Sequence, residues 1–222
     1  MRTLFRLLVI TVCLGALGAL QAGVIVIGSL GTGSNCFPFG CQFSVGTVYQ
    51  QVYDSGSFPG PITITDIVFY HTLSPGGNFR PGSYALSLST TSRVVNGLDT
   101  VNFDSNLGPD NQLFWSGPLS GAAPAPEVVF LGVPFAYNPG LGNLLLDVRV
   151  TGGGGNGWVY LDARNGDAGG LFSRAHNFGG GFANYGLVTG FSYGEVVIPE
   201  PATLSLLGLG LAALACLRRR RK

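Results

Sequence analysis

Residues 83–89 read SYALSLS and residues 143–150 read NLLLDVRV. In the first, Tyr84, Leu86 and Leu88 alternate with Ala85, Ser87 and Ser89. In the second, Leu144, Leu146, Val148 and Val150 alternate with Asn143, Leu145, Asp147 and Arg149. Successive side chains of an extended chain point to opposite faces, so this period of two predicts strands with one buried face.

The same texture runs outward from these segments. TVYQQVY (47–53), PITITDIVFYH (61–71), EVVFLGVPFAY (127–137), GWVYLD (157–162) and GLVTGFSYGEVVI (186–198) are β-rich runs separated by Gly, Pro, Asn and Asp. In PITITDIVFYH, Ile62 and Ile64 share one parity, Ile67 and Phe69 the other. Either a bulge near Asp66 restores one buried face, or the strand is buried on both sides beyond Asp66. About eight to ten short strands with turn signals every 8–12 residues predict an all-β fold, an antiparallel, jelly-roll-like β-sandwich. The chain has no fixed-period repeat, which argues against a solenoid or propeller.

The two ends read differently. Arg2 and Arg6 precede a 14-residue apolar run, Leu7–Leu20, and Ala22 offers a small residue for cleavage before Gly23. This pattern predicts a signal helix over residues 1–22, removed by signal peptidase during export. As a helix the run is about 21 Å long, too short for a hydrocarbon core of about 30 Å, which argues against an uncleaved transmembrane helix. At the other end, Ala202–Leu217 is 16 residues without a charge. It predicts a transmembrane helix of about 24 Å, short but usable with snorkelling arginines. Arg218, Arg219, Arg220, Arg221 and Lys222 follow it as a stop-transfer cluster that stays cytoplasmic. A buried helix closing the domain is the alternative, disfavoured by five consecutive charges. Pro199-Glu200-Pro201 precedes the span and is expected to be extended and accessible, because proline biases both itself and its predecessor away from helix.

Charge and cysteines fit export. Between Gly23 and Ile198 stand five arginines (80, 93, 149, 164, 174), no lysine and ten acidic residues, so five minus ten gives a net charge of −5. Without a basic stripe, nucleic-acid binding is excluded as an expectation. Cys36 and Cys41, on a Pro/Gly turn, are expected to close a small disulfide loop in an oxidising compartment, with free thiols as the alternative. No CxxC or paired histidines accompany them as zinc ligands.

Chemistry is thinly provided. His71 and His176 are the two histidines, and neither GxSxG nor HExxH occurs. No enzyme is expected, and no cofactor, with calcium as the one candidate. Asp162, Asn165 and Asp167, in LDARNGDAGG, offer oxygen ligands around a glycine, but the spacing departs from the EF-hand pattern and also suits an Asx-rich hairpin turn. Trp115, Trp158 and Tyr160 are candidate stacking rings for a surface polysaccharide, and core packing is the competing use of such residues.

PEPATLSLLGLGLAALACLRRRRK (199–222) resembles the PEP-CTERM sorting signal of Gram-negative bacteria: Pro-Glu-Pro, a short hydrophobic span and a terminal arginine cluster, in order. The same tail is sometimes labelled an ice-binding protein C-terminal domain. That label describes the tail, and one TIT at Thr63–Thr65 is not a threonine array. The resemblance implies recognition of Pro199, Glu200 and Pro201 by exosortase, a membrane-embedded protease, with Arg218–Lys222 setting topology. It also implies transient anchoring in the inner membrane with the C-terminus in the cytoplasm, then release or transfer to the cell surface or outside. The middle region, from VYQQVYDSGSFPGPITITDIVFYHT through FAYNPGLGNLLLDVRVTG, resembles a recurrent ectodomain of such proteins, a β-sandwich that brings no catalytic residues. The expected organisation is a signal peptide (1–22), an exported β-sandwich (23–198) and a sorting tail (199–222). The expected role is a non-enzymatic surface or matrix protein, associated with biofilm or exopolysaccharide. A carbohydrate-binding module using aromatics and calcium is the alternative.

Overall fold

The structure is a computed structural model and describes residues 22–41, 44–164, 170–178, 180–182 and 184–195. The signal helix, the transmembrane helix and the sorting motif expected from the sequence lie outside the described residues.

Among the described residues thirteen strands follow one another: β1 (Ala22–Ile27), β2 (Ser34–Asn35), β3 (Val48–Tyr53), β4 (Ile62–Tyr70), β5 (Gly82–Thr91), β6 (Gln112–Leu119), β7 (Glu127–Tyr137), β8 (Asn143–Gly152), β9 (Leu161–Arg164), β10 (Phe172–His176), β11 (Gly180–Phe182), β12 (Gly186–Leu187) and β13 (Thr189–Glu195). They form a four-stranded sheet, β1-β13-β4-β7, a six-stranded sheet, β11-β10-β3-β8-β5-β6, and a small sheet, β12-β9-β2. All strand pairings among the described residues are antiparallel. Take the long strands β1, β3, β4, β5, β6, β7, β8 and β13 as one to eight. The sheets then read 1-8-3-6 and 2-7-4-5, the pairing of a jelly roll. The expected all-β sandwich is therefore present, with β9–β12 inserted before the last strand.

The alternation seen in the sequence builds the core. Tyr84, Leu86 and Leu88 of β5 and Leu144, Leu146, Val148 and Val150 of β8 are all buried on the inner face. Phe39 sits among Phe69, Tyr84 and Phe130, with ring centroids 5.3–5.6 Å away. Each such side chain contributes roughly 1.5–3 kcal/mol through removal from water.

Both readings of β4 hold at once. Ile64 and Asp66 pair with adjacent residues of β13, Tyr193 and Ser192, so Thr65 is the extra residue of a bulge. The bulge returns Ile67 and Phe69 to the face of Ile62 and Ile64, and all four are buried. Beyond it the other face is buried too, because Val68 and Tyr70 pack with Val188.

The outer face of the six-stranded sheet departs from simple alternation. Leu145 and Asp147 of β8 face away from the core, yet both are buried. A strap, residues 92–111, covers them and carries a single 3-10 turn at Phe103–Asn106. A polar network fastens it. Gln50 donates to Asp147 Oδ1 (2.8 Å) and to the Phe103 carbonyl (3.0 Å). Asn106 donates to Gln50 Oε1 (2.7 Å), and Thr91 donates to the Asn106 carbonyl (2.6 Å). Arg149 bridges Asp147 (2.7 Å) and Asp104 (2.6 Å). Burial of polar groups is costly unless they are partnered, and these are.

Strand polarity defines two ends. Ala22 pairs with Gly194, so the first described residue and the last strand's terminus lie together at one end. Ile27 pairs with Thr189 at the other end. There the small sheet and the loops 28–41, 71–81 and 153–160 gather, tied by bonds from Gly31, Thr72 and Leu73 to Asp162 and from Trp158 to Asn78.

Candidate functional site

Asp162 organises the end remote from Ala22 and Glu195. It is fully buried, and its carboxylate accepts hydrogen bonds from the amides of Gly31 (3.2 Å), Thr72 (3.0 Å) and Leu73 (3.0 Å) and from the Thr72 hydroxyl. Burial by itself would raise its pKa. The bonds from Thr72, Leu73 and Gly31 outweigh that and hold the carboxyl below the usual carboxylate range. Four donors on two oxygens make Asp162 a knot that ties β9 to two loops, 28–41 and 71–81. Asn165 and Asp167 lie outside the described residues, so the structure does not place the expected calcium ligands together. No cluster of three or more His, Cys, Asp and Glu suited to a metal occurs among the described residues.

The candidate rings separate. Trp115, on β6, is half-buried and packs edge-to-face on Phe130, with centroids 4.8 Å apart. Trp158 and Tyr160 are 58% and 44% exposed, and Val159 between them is fully buried. They lie in the loop just before β9. The Trp158 and Val159 amides both donate to the Asn78 carbonyl, at 2.9 and 3.1 Å. Backbone approaches are close on both sides of this stretch. A Cβ on Gly40 would strike the Val159 carbonyl, and one on Gly157 would strike the Arg80 amide.

Cys36 and Cys41 are paired as a disulfide, with Cα atoms 5.1 Å apart. The loop they close inserts Phe39 into the core and lays Phe37 on His176, stacked at 5.2 Å and 13°. His176 and Arg174 belong to β10, which the sequence reading did not single out because its inward side chains are polar. Burial, then the positive charge of Arg174, lowers the His176 pKa to about 4. Arg174 lies over the Tyr185 ring, 4.2 Å from its centroid. Beside it, Gln51 both donates to the Leu187 carbonyl (2.9 Å) and accepts from the Leu187 amide (2.8 Å), so its side chain acts as a strand partner for β12. Tyr49 donates to Gln51 (2.5 Å), and burial pushes its phenol up to about 12. His71, at the end of β4, is fully buried, and its ring nitrogens meet no hydrogen-bond partner among the described residues. His71 and His176 are thus interior side chains, and neither sits in an open cleft.

An open groove of about 550 Å³ lies at the opposite end, lined by Gly23, Val24, Thr65, Asp66, Ser192, Tyr193 and Gly194. It follows from the bulge at Thr65. Val24, Val26, Val129 and Leu131 leave the neighbouring sheet face apolar and exposed.

No described helix is long and apolar enough to cross a membrane. No curated protein and no solved structure matches the chain. The family model of the PEP-CTERM protein-sorting motif matches residues 197–221, beginning two residues after β13 ends. That match spans Pro199-Glu200-Pro201, the apolar run and the four arginines. The chain thus carries a PEP-CTERM protein-sorting motif, which supports an exported protein sorted by exosortase, with a jelly-roll sandwich ahead of that motif in sequence.

Proposed function

We propose that this protein is a non-enzymatic component of the cell surface or extracellular matrix, associated with biofilm or exopolysaccharide. The sorting motif carries the reading, because it makes the chain a substrate of the exosortase and assigns the sandwich the role of cargo. Signal peptidase and the secretion machinery bring the domain through the inner membrane. The apolar run, Ala202–Leu217, then holds it there, with Arg218–Lys222 kept in the cytoplasm by their charge. Pro199, Glu200 and Pro201 are the residues that the exosortase reads, with Glu200 as its charged contact. Processing frees the domain for the surface or the medium. The interior placement of both histidines supports a binding or structural role over catalysis.

The test compares the native protein with Glu200→Ala in an exosortase-positive host, reading the mature C-terminus by intact mass. The native chain is expected to lose its basic cluster and the variant to keep it. Equal maturation of both would overturn the assignment of Glu200.

A further inference from the structure

We propose that the end of the sandwich remote from Ala22 and Glu195 binds a neutral polysaccharide, with Trp158 and Tyr160 as its stacking rings. The proposal rests on the reading of the chain as a surface or matrix protein and names what that surface contacts.

Trp158 and Tyr160 stand two residues apart, both exposed, and flank the buried Val159. Successive sugar rings of a linear polymer present apolar C–H faces to such a pair, while their hydroxyls need polar neighbours. Exposed Thr72 and Asn78 belong to the loop 71–81 bonded to this stretch, and the Thr72 hydroxyl, which donates to Asp162, keeps its lone pairs to accept from a sugar hydroxyl. The rings are also preorganised. Their backbone is clamped by the Asn78 carbonyl, and Gly40 and Gly157 leave no room for it to shift. A rigid platform loses little entropy on binding.

The alternatives to a neutral glycan fit less well. Between Gly23 and Ile198 the net charge is −5, five arginines against ten acidic residues, so an acidic polymer is repelled overall. A membrane surface would favour lysine-rich surroundings, and Gly23–Ile198 contains no lysine. Asp162 acts as a positioning residue: it fixes β9 and the Thr72–Leu73 loop beside the rings, and its oxygens are already occupied.

The test uses mature protein recovered from an exosortase-positive host, run in native affinity gels containing a soluble neutral β-glucan, alginate, or no polymer. Flotation with phosphatidylcholine–phosphatidylglycerol vesicles is a parallel arm. Native protein is expected to be retarded by the β-glucan alone. Trp158→Ala and Tyr160→Ala should each weaken that retardation about threefold to tenfold, and Trp115→Phe should leave it unchanged. Both ring variants replace exposed side chains, and thermal melts at the native temperature verify their folding. Absence of retardation by the β-glucan, retardation unchanged in the Trp158→Ala/Tyr160→Ala double variant, or ring-dependent binding to alginate or vesicles would each overturn the proposal. Intact mass of the same samples reads the sorting step separately, so a failure there is distinguishable from a failure of the platform.

Discussion

The two ends of this sandwich are held together by different means. At the end containing Ala22 and Gly194, β1 is an edge strand, attached through its ladder to β13, and its residues are uncharged. At the other end, a buried carboxylate, a covalent bridge and a stacked histidine secure three loops and a small sheet. A ladder distributes its stability over many weak, replaceable contacts. A buried polar knot concentrates it, because removal of one partner strands the others. Substitutions of similar size should therefore cost far more at the remote end than beside the chain exits.

The largest effect is expected for Asp162→Ala. It strands the amides of Gly31, Thr72 and Leu73, and urea unfolding should show a loss of about 3 kcal/mol. The native carboxyl titrates below its unfolded value, so its stabilisation is complete above about pH 4 and disappears as pH falls through the lowered folded pKa. Asp162→Ala should remove that part of the acid sensitivity. Replacement of both Cys36 and Cys41 by alanine comes next. Loop closure over so short a segment is worth about 2 kcal/mol, read as a lower urea midpoint in non-reducing buffer.

His176 gives a smaller, pH-dependent effect. Its folded pKa is about 4 against an ordinary 6.5, so the unfolded chain binds a proton that the folded chain refuses. Stability should fall as pH drops from about 6.5 towards about 4, by roughly 1–2 kcal/mol at pH 5. His176→Phe keeps the stack on Phe37 and should flatten this window in a pH series of thermal melts. The smallest effect belongs to the end with the chain exits. Val24→Thr, on exposed β1, should change stability by less than about 0.5 kcal/mol. A loss as large as that of Asp162→Ala would erase the contrast between the ends.

Much of the fold was readable from side-chain parity. Tyr84, Leu86 and Leu88 face inward as their spacing indicated, and the break in parity in β4 pointed to a bulge near Asp66, which the structure puts at Thr65. What parity missed was polar burial. Leu145 and Asp147 read as a solvent face, because nothing local announces that residues 92–111 fold back over them. β10 was overlooked since Arg174 and His176 look like surface residues until Tyr185 and Phe37 cover them. At the candidate site, one-dimensional sequence placed Trp115, Trp158 and Tyr160 on equal terms. Only the neighbouring Phe130 draws Trp115 into the packing and leaves the other two outside. Asp162 was noticed for its oxygens, but its true partners are 89 to 131 residues away in sequence. The sorting motif was fully legible because it acts as a linear signal.

The decisive measurement is mass spectrometry of both ends of the protein taken from its final location in an exosortase-positive host. A chain that begins at Gly23, lacks Arg218–Lys222 and is found at the surface or in the medium is the expected result. An uncut chain, from Met1 to Lys222, dissolved in the cytosol would contradict it.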